Sequence, residues 1–224
     1  MYSLFEYIAT RKMKLKAKTL LVLLLTASMV FQAFTAAPAA ASQKDLAFKA
    51  YYDLIEELHK GDEWSGGYDR YVLIYVDDDS IPELLAVDTP SDEYDNNGTY
   101  QYELYTYYEG KAVKLGNYAS GVASAGGYRG NTMYIKKSGK IYETSAAAAS
   151  GDGTDIVYKL QDGTLTEIAS GDFNIAEDDA KWNGKTVSGA KYEKKLNKVF
   201  NTKKGVSFES LKTVSYKKMR KKLK

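Results

Sequence analysis

Cysteine is absent from this chain of 224 residues, and histidine occurs once, as His59. Without cysteine the protein has no disulfide, no thiolate metal ligand and no lipobox cysteine for lipid attachment. A histidine-centred catalytic relay would have to use His59, which lies near the end of a predicted helix, where a structural role is expected. The sequence also contains no P-loop and no G-x-G-x-x-G after a strand. The chain therefore lacks the signatures of thiol, histidine-relay and nucleotide-dependent enzymes.

The first 41 residues are organised like a signal peptide. Basic residues precede the apolar run TLLVLLLTASMVFQAF (19–34), and the small-residue stretch TAAPAAAS follows it. This order predicts export with cleavage after Ala41, and Met13 is an alternative start of the leader. An uncleaved anchor is the alternative, because about 20 apolar residues can span a bilayer. We therefore expect a secreted or wall-associated protein of the Gram-positive type, which is not a lipoprotein.

Residues 42–187 are predicted to form the body of a single α+β domain, beginning with an N-terminal amphipathic helix. Apolar residues recur at helical spacing in QKDLAFKAYYDLIEELHK (43–60), and Gly61 provides a C-terminal stop. The pattern then changes to a period of two, which indicates strands at 70–76, 83–88, 100–108, 111–115, 131–137, 140–146, 154–160 and 164–169. Turn signals such as Ser138-Gly139 join these strands without intervening helices, so we expect a mainly antiparallel β-meander.

Residues 188–224 are predicted to form a basic helical segment packed on the same domain. Apolar residues again recur at helical spacing after Ser188, a candidate N-cap, and after Ser215. Residues 191–224 carry 13 basic and 2 acidic side chains, whereas residues 42–190 carry 13 basic and 26 acidic ones. The C-terminal helices are therefore strongly basic and the body of the domain is acidic.

The basic tract SYKKMRKKLK is a candidate polyanion-binding site. Its candidate residues are Lys217, Lys218, Arg220, Lys221 and Lys222. Such a tract can bind cell-wall polyanions or lipid head groups. The alternative is internal, with the helices docked through their apolar stripes and their lysines facing the acidic body. We expect no specific nucleic-acid recognition, and membrane contact only through an uncleaved leader or this basic tail.

Three adjacent aspartates interrupt the strand-like stretch YVLIYVDDDSIPELLAVD (71–88). Asp77 and Asp79 have the alternate spacing of calcium-loop ligands, and Glu83 is placed to complete a site. The segment VDDDSIPELL resembles the aspartate-rich turn of FG-GAP and VCBS-type β repeats, which implies Ca²⁺ bound by these three carboxylates. The segment departs from the family pattern at Tyr75 and Ser80, where a ligand and a glycine are usual. The alternative is a solvated turn that leads into the next strand.

Three longer segments, LIYVDDDSIPELL, ELYTYYEGKAVKLG and WNGKTVSGAKYEKKL, resemble uncharacterised exported proteins of clostridial-type Gram-positive bacteria. This resemblance extends over most of residues 42–224. It implies export and the architecture described above, and it implies no mechanism.

Tyrosine is unusually frequent, with 18 of the 20 tyrosines in residues 42–224. In YQYELYTYY, strand alternation places Tyr100 and Tyr102 on one face of a sheet and Tyr105 and Tyr107 on the other. Tyrosines in a row on a sheet can stack on sugar rings or hold a peptide. These four residues are therefore candidates for a ligand-binding surface.

Trp64 and Trp182, beside glycine-containing loops, are further candidates for such a surface. The alternative for all these aromatic residues is a structural role, in which their rings fill the core and their polar groups reach solvent at its edge. We expect an exported, non-enzymatic surface or extracellular binding module whose ligand is a glycan or a surface protein. One alternative is a calcium-stabilised structural domain. The other is a carboxylate-dependent hydrolase, for which the chain offers acids such as Glu103, Glu143 and Asp155.

Overall fold

The computed structural model describes residues 41–61, 68–88, 99–122 and 127–224. The predicted signal peptide and Trp64 lie outside these ranges. The chain from Gln43 to Lys224 forms one compact unit. Within the described ranges, no helix is long and apolar enough to cross a bilayer.

The described chain contains a long helix, twelve strands and two shorter helices. The helices are α1 (Gln43–Lys60), α2 (Gly189–Val199) and α3 (Tyr216–Lys222), with 3₁₀ helices at Thr202–Lys204 and Phe208–Ser210. The strands are β1 (Arg70–Ile74), β2 (Glu83–Asp88), β3 (Thr99–Tyr108), β4 (Lys111–Val122), β5 (Tyr128–Ile135), β6 (Lys140–Ala147), β7 (Asp152–Gln161), β8 (Thr164–Asn174), β9 (Asp179–Trp182), β10 (Lys185–Ser188), β11 (Val206–Ser207) and β12 (Val214–Ser215).

The strands form one antiparallel sheet in the order β10-β9-β8-β7-β6-β5-β4-β3-β2-β1-β12, with β11 beside β5. From β1 to β10, neighbours in sequence are neighbours in the sheet, so the predicted β-meander is confirmed. The turns Glu109-Gly110, Asp162-Gly163 and Asn183-Gly184 have positive φ at both residues. That conformation is typical of two-residue hairpin turns, and glycine adopts it without steric cost.

The sheet divides into two halves between β4 and β5. In the described residues these two strands pair only through Gly121 with Gly130 and Val122 with Arg129. Apolar residues of both halves pack into one inner cluster, whose buried members are Ile74, Val76, Leu85, Val87, Tyr102, Leu104, Tyr118, Tyr134, Ile141, Leu160 and Phe208. The turn between β5 and β6 also contacts the end of β1, where Gly139 N donates to Val76 O at 2.7 Å. The two halves therefore face each other across the inner cluster.

The inner cluster is rich in aromatic rings. Phe208 contacts the rings of Tyr102, Tyr118 and Tyr134 at centroid distances of 5.5, 5.8 and 6.1 Å. The pairs with Tyr102 and Tyr118 are edge-to-face, and such pairs add about 0.5–1.5 kcal/mol each beyond the area that they bury. Because Phe208 comes from the C-terminal part of the chain, these contacts fix that part to the sheet.

Helices α1 and α3 cover the outer face of the first half. Strand alternation directs Leu85 inward and Leu84 outward, and Leu84 packs with Tyr51, Ile55 and Met219 in a second cluster. Burial of a side chain such as Ile55 contributes about 1.5–3 kcal/mol to folding. This α1–α3 cluster explains why α3 lies on the domain although it has only seven residues.

Helix α2 covers the outer face of the second half. In β6, Ile141 faces the inner cluster, whereas its neighbour Tyr142 faces outward and packs with Trp182, Leu196 and Phe200 in a third cluster. The two outer clusters therefore lie on opposite sides of the inner one. It follows that the basic helices α2 and α3 occupy opposite outer faces of the two-layered sheet.

Three strand regions extend beyond the predicted ones. Strand β4 continues to Val122 rather than ending near residue 115, and β8 continues to Asn174 rather than ending at residue 169. Strands β9 and β10 form a hairpin where only the turn at Asn183-Gly184 was predicted. The added part of β4, GNYASGV, consists mostly of small residues, which leave little apolar alternation to detect. The hairpin buries only Ala180 and Trp182 among its described side chains, so its sequence pattern is almost entirely polar.

Candidate binding surfaces

The apolar face of α3 holds this helix on the domain. Met219 and Leu223 are buried in the α1–α3 cluster. At the start of the helix, the ring of Tyr216 stacks on that of His59, with centroids 3.7 Å apart. His59 Nδ1 also lies 3.0 Å from Asp69 Oδ1. The single histidine therefore takes part in fixing the basic helix.

Arg220 is bound to α1 by polar contacts. Arg220 Nε lies 2.5 Å from Glu56 Oε1. The N–H of Arg220 Nε also donates to the Tyr52 hydroxyl at 2.8 Å. A hydrogen bond from Tyr216, together with the Arg220 charge and opposed by partial burial, holds the pKa of Glu56 below its usual value. Arg220 was a candidate polyanion ligand, but these contacts engage its guanidinium with the domain.

The four lysines of α3 project away from the domain. Lys217, Lys218, Lys221 and Lys222 are all exposed. With about 100° between successive residues of an α-helix, Lys217 and Lys221 lie opposite Met219, and Lys218 and Lys222 lie together on one flank. None of them forms an ion pair with another residue of the described ranges. These four residues are called the α3 surface below.

The three aspartates between β1 and β2 form a tight acidic turn. Asp77 Oδ1 accepts from Asp79 N at 3.2 Å, and Asp79 Oδ1 accepts from Ile81 N at 2.7 Å. Such bonds from an aspartate to the backbone two residues later stabilise turns. They explain why the chain reverses here before entering β2.

Glu83, the third predicted metal ligand, points into the protein. Its side chain is only 1% exposed, and Oε2 accepts from Val76 N at 2.8 Å. Thr106 Oγ1 lies 3.4 Å from Oε1. Burial, together with the charges of Asp77 and Asp79, raises the pKa of Glu83 to about 8. Glu83 is therefore largely protonated at neutral pH, and its contacts are internal.

The acidic turn fits a calcium ion only partly. The buried hydroxyl of Tyr51 has no hydrogen-bond partner among the described residues, and its pKa is raised by burial and by the nearby Glu83 and Asp79 charges. However, no three histidine, aspartate or glutamate side chains in the described ranges are arranged to hold a metal ion. Ca²⁺ takes six to eight oxygen ligands, and with Glu83 engaged only Asp77 and Asp79 remain of the three predicted carboxylate ligands. Calcium binding by Asp77, Asp79 and Glu83 stays a prediction from the sequence, and the internal contacts of Glu83 favour its alternative, a solvated turn.

Most of the candidate aromatic ligands lie in the core. Tyr102 and Trp182 are 2% and 6% exposed, and Tyr105 is also buried. Tyr107 is half-buried, and only Tyr100, at 38% exposure, presents a ring to solvent. Tyrosines lie on both faces of β3 as predicted, but each face is covered, one by the second half of the sheet and the other by α1. This row of side chains does not form an open aromatic surface.

The strand acids are engaged in internal contacts as well. Partial burial raises the pKa of Glu143. Glu103 is also partly buried, but hydrogen bonds from Lys114 and Tyr105 hold its pKa below the usual value. Asp155, 4% exposed, accepts from the Tyr142 hydroxyl at Oδ1 and from the Tyr192 hydroxyl at Oδ2, each at 2.7 Å. Glu103 and Asp155 are therefore held by hydrogen bonds within the protein.

A groove that the sequence did not indicate opens beside the start of α2. It has a volume of about 310 Å³, and its lining includes Thr144, Asp155, Phe173, Glu177, Asp178 and Glu193. A second depression, of about 540 Å³, also includes Phe173 and extends over the small residues Ala146 and Gly153. A Cβ atom on Gly153 would lie 2.3 Å from the Phe173 ring, so the glycine is needed for the ring to lie flat on β7. The sequence contains the glycine and the aromatic residue that form this feature, Gly153 and Phe173. That they lie opposite each other on β7 and β8 can be seen only when the strand register is known.

The described residues thus offer a basic helix surface and a groove with acidic and aromatic walls. Comparisons with protein-family models, with curated proteins and with solved structures find no match for this chain. These two features of the chain itself are the basis on which a function is proposed.

Proposed function

We propose that the protein is an exported, non-enzymatic binding module that attaches to an anionic polymer of the cell wall through the α3 surface. The observation that supports this most directly is the orientation of α3. Its apolar face and Arg220 are engaged with the domain, while Lys217, Lys218, Lys221 and Lys222 are exposed and make no ion pair with a described residue.

Electrostatics explains why such a surface favours a partner. Like charges one turn apart on a helix repel and destabilise it slightly. A polymer that carries one phosphate group per repeat would relieve this repulsion and would need no particular sequence or sugar to do so. Attachment of this kind weakens with salt, because the Debye length falls to about 8 Å at physiological ionic strength.

The test uses the purified protein and long-chain inorganic polyphosphate as the probe. We expect saturable binding that weakens as salt is raised from about 0.05 to 0.15 M. Replacing the four lysines of the α3 surface by glutamine should weaken binding about tenfold, equivalent to about 1.4 kcal/mol. The matched control replaces four other exposed lysines, Lys49, Lys60, Lys111 and Lys185, and removes the same charge. Equal losses in the two variants would show that binding depends on net charge alone and would contradict the proposal.

The groove supports a second ligand, a glycan, for the same module. Phe173 offers a ring on which a sugar can stack, and Thr144 and Glu177 offer hydrogen-bonding groups in the same groove. The probe is a tetramer of N-acetylglucosamine, followed by changes in the NMR spectrum of the protein. Loss of these changes in Phe173→Ala, with retention in Ile168→Ala, would support the site. Unchanged spectra in the wild-type protein would rule out this glycan.

A further inference from the structure

Helix α2 carries a second basic surface. Lys191, Lys194, Lys195 and Lys198 follow the spacing i, i+3, i+4 and i+7, which places all four on one flank of the helix. Lys191, Lys194 and Lys198 are exposed and Lys195 is half-buried. None of the four forms an ion pair with another residue of the described part of the chain. These residues are called the α2 surface.

The rest of α2 explains why its lysines gather on one flank. Tyr192 and Leu196 are buried against the second half of the sheet. Glu193, the single acidic residue of α2, lies on the other flank and borders the groove. After the helix, the exposed residues Lys203 and Lys204 add two further cations. The α2 surface is therefore a separate basic region, divided from the acidic groove by the body of the helix.

The α2 and α3 surfaces lie on opposite sides of the protein. Helix α3 packs on outward-facing residues of the first half of the sheet, such as Leu84, and α2 packs on those of the second half, such as Tyr142. The inner cluster separates the two halves. Facing sheets lie about 10 Å apart and each helix has a radius of about 5 Å, so the two surfaces are at least about 20 Å apart. This is more than two Debye lengths at physiological salt, so each surface attracts a polyanion independently of the other.

We propose that the α2 and α3 surfaces are two independent sites for phosphate-rich polymers, so that one protein molecule bridges two polymer chains. This inference rests on the proposed function of the α3 surface and adds a second site and a cross-linking role. A lysine ammonium binds phosphate as a point charge, which suits a flexible polyphosphodiester with no fixed geometry. A wall protein of this kind would join neighbouring anionic chains rather than coat a single one.

The test separates binding from bridging. Binding is measured by calorimetry with a short polyphosphate that cannot reach both surfaces. Bridging is measured by light scattering with a long polyphosphate, which should pass through a maximum and fall again when protein is in excess. Two variants carry four Lys→Gln substitutions each, one in the α2 surface and one in the α3 surface. The charge-matched control is the variant of Lys49, Lys60, Lys111 and Lys185.

We expect the wild-type protein to bind two short chains and each surface variant to bind one. Both surface variants should lose the scattering maximum, whereas the control should keep it. Lys→Arg variants of each surface should also keep it, which shows that a loss reflects charge rather than misfolding. Sedimentation without polymer checks that the protein does not bridge merely by self-association.

The outcomes distinguish the inference from the proposed function. One short chain bound by the wild-type protein, and lost only in the α3 variant, would overturn bridging and leave the α3 site standing. Undiminished scattering in the α2 variant would overturn bridging in the same way. Absence of binding to polyphosphate of any length would overturn both. Clustering of phosphatidylglycerol vesicles without scattering from polyphosphate would overturn the polymer as partner and indicate lipid head groups instead.

Discussion

The hydroxyl of Tyr192 donates to Oδ2 of Asp155 at 2.7 Å, which ties α2 to the middle of β7. The contact is possible because Gly171, on the neighbouring strand β8, has no side chain. A Cβ atom there would lie 2.3 Å from the Tyr192 hydroxyl oxygen. Tyr142 donates to the other oxygen, Oδ1, so each oxygen of the buried Asp155 carboxylate accepts one hydrogen bond from a tyrosine hydroxyl. One basic helix is thus fixed to the sheet by a polar contact inside an otherwise apolar cluster.

We expect Tyr192→Phe to lower the free energy of unfolding by about 1–3 kcal/mol, because it leaves one oxygen of the buried Asp155 without a donor. Urea denaturation followed by tryptophan fluorescence measures this loss. Tyr100→Phe, at an exposed tyrosine, is the matched control and should change stability by less than about 0.5 kcal/mol. Equal effects of the two substitutions would mean that the Tyr192 hydroxyl contributes nothing specific.

A second prediction concerns Glu83, whose pKa is raised to about 8 by burial and by Asp77 and Asp79. Between the ordinary pKa of a glutamate near 4.5 and this value, the folded protein holds a proton that the unfolded chain has lost. Stability should therefore fall as pH rises through this range, by up to about 1.4 kcal/mol per pH unit, and become flat above it. This is opposite to the usual behaviour of a carboxylate in an ion pair.

The measurement is the unfolding midpoint in urea at pH values from about 5 to 9. Glu83→Gln imitates the protonated side chain and keeps an acceptor for Val76 N, so it should flatten the pH profile. Glu167→Gln, on an exposed strand residue, should leave the slope as in the wild-type protein. A wild-type profile that rises from pH 5 to 8 would contradict a protonated Glu83.

The meander could be predicted because its signals are local. Residue pairs such as Asp162-Gly163 mark turns, and the short apolar run LLAV in β2 marks a buried strand from a few residues alone. The same kind of signal placed a helix at 43–60, and the structure has α1 there, with Ala47, Tyr51 and Ile55 buried. Local patterns carry this information because each element needs a particular spacing of apolar residues to form at all.

The binding surfaces could not be predicted in the same way, because they depend on contacts between distant residues. Tyr102 and Trp182 looked like candidate ligands, but whether a strand face is open depends on which layer covers it. Asp155 and Tyr192 are 37 residues apart, and the residues around each one give no local signal of the contact between them. The four lysines of α3 were recognised because a basic tract is local, whereas the opposition of α2 and α3 appears only with the folded sheet.

A third prediction concerns calcium at the acidic turn. Because Glu83 is bonded to Val76 N and the described donors are too few, we expect millimolar Ca²⁺ to leave the thermal midpoint unchanged relative to chelator. A ligand present at about 100 times its dissociation constant and bound only by the folded state would add about 2.7 kcal/mol, which is readily detected. An upward shift that Asp79→Asn abolishes and Asp162→Asn leaves intact would restore the calcium site predicted from the sequence.

The last prediction asks which contact holds α3 on the domain, its apolar face or its ion pair. Met219 is 1% exposed and packs against α1, so Met219→Ala should cost about 2–5 kcal/mol if the helix unfolds with the rest of the protein. Arg220 and Glu56 meet at the surface, where solvent screens their attraction, so Arg220→Gln should have a much smaller effect. Hydrogen exchange of the α3 amides, together with urea denaturation, measures both the local and the global loss. Faster exchange in α3 for Arg220→Gln than for Met219→Ala would mean that the polar contacts to Glu56 and Tyr52, rather than the apolar stripe, keep the lysines of the α3 surface in place.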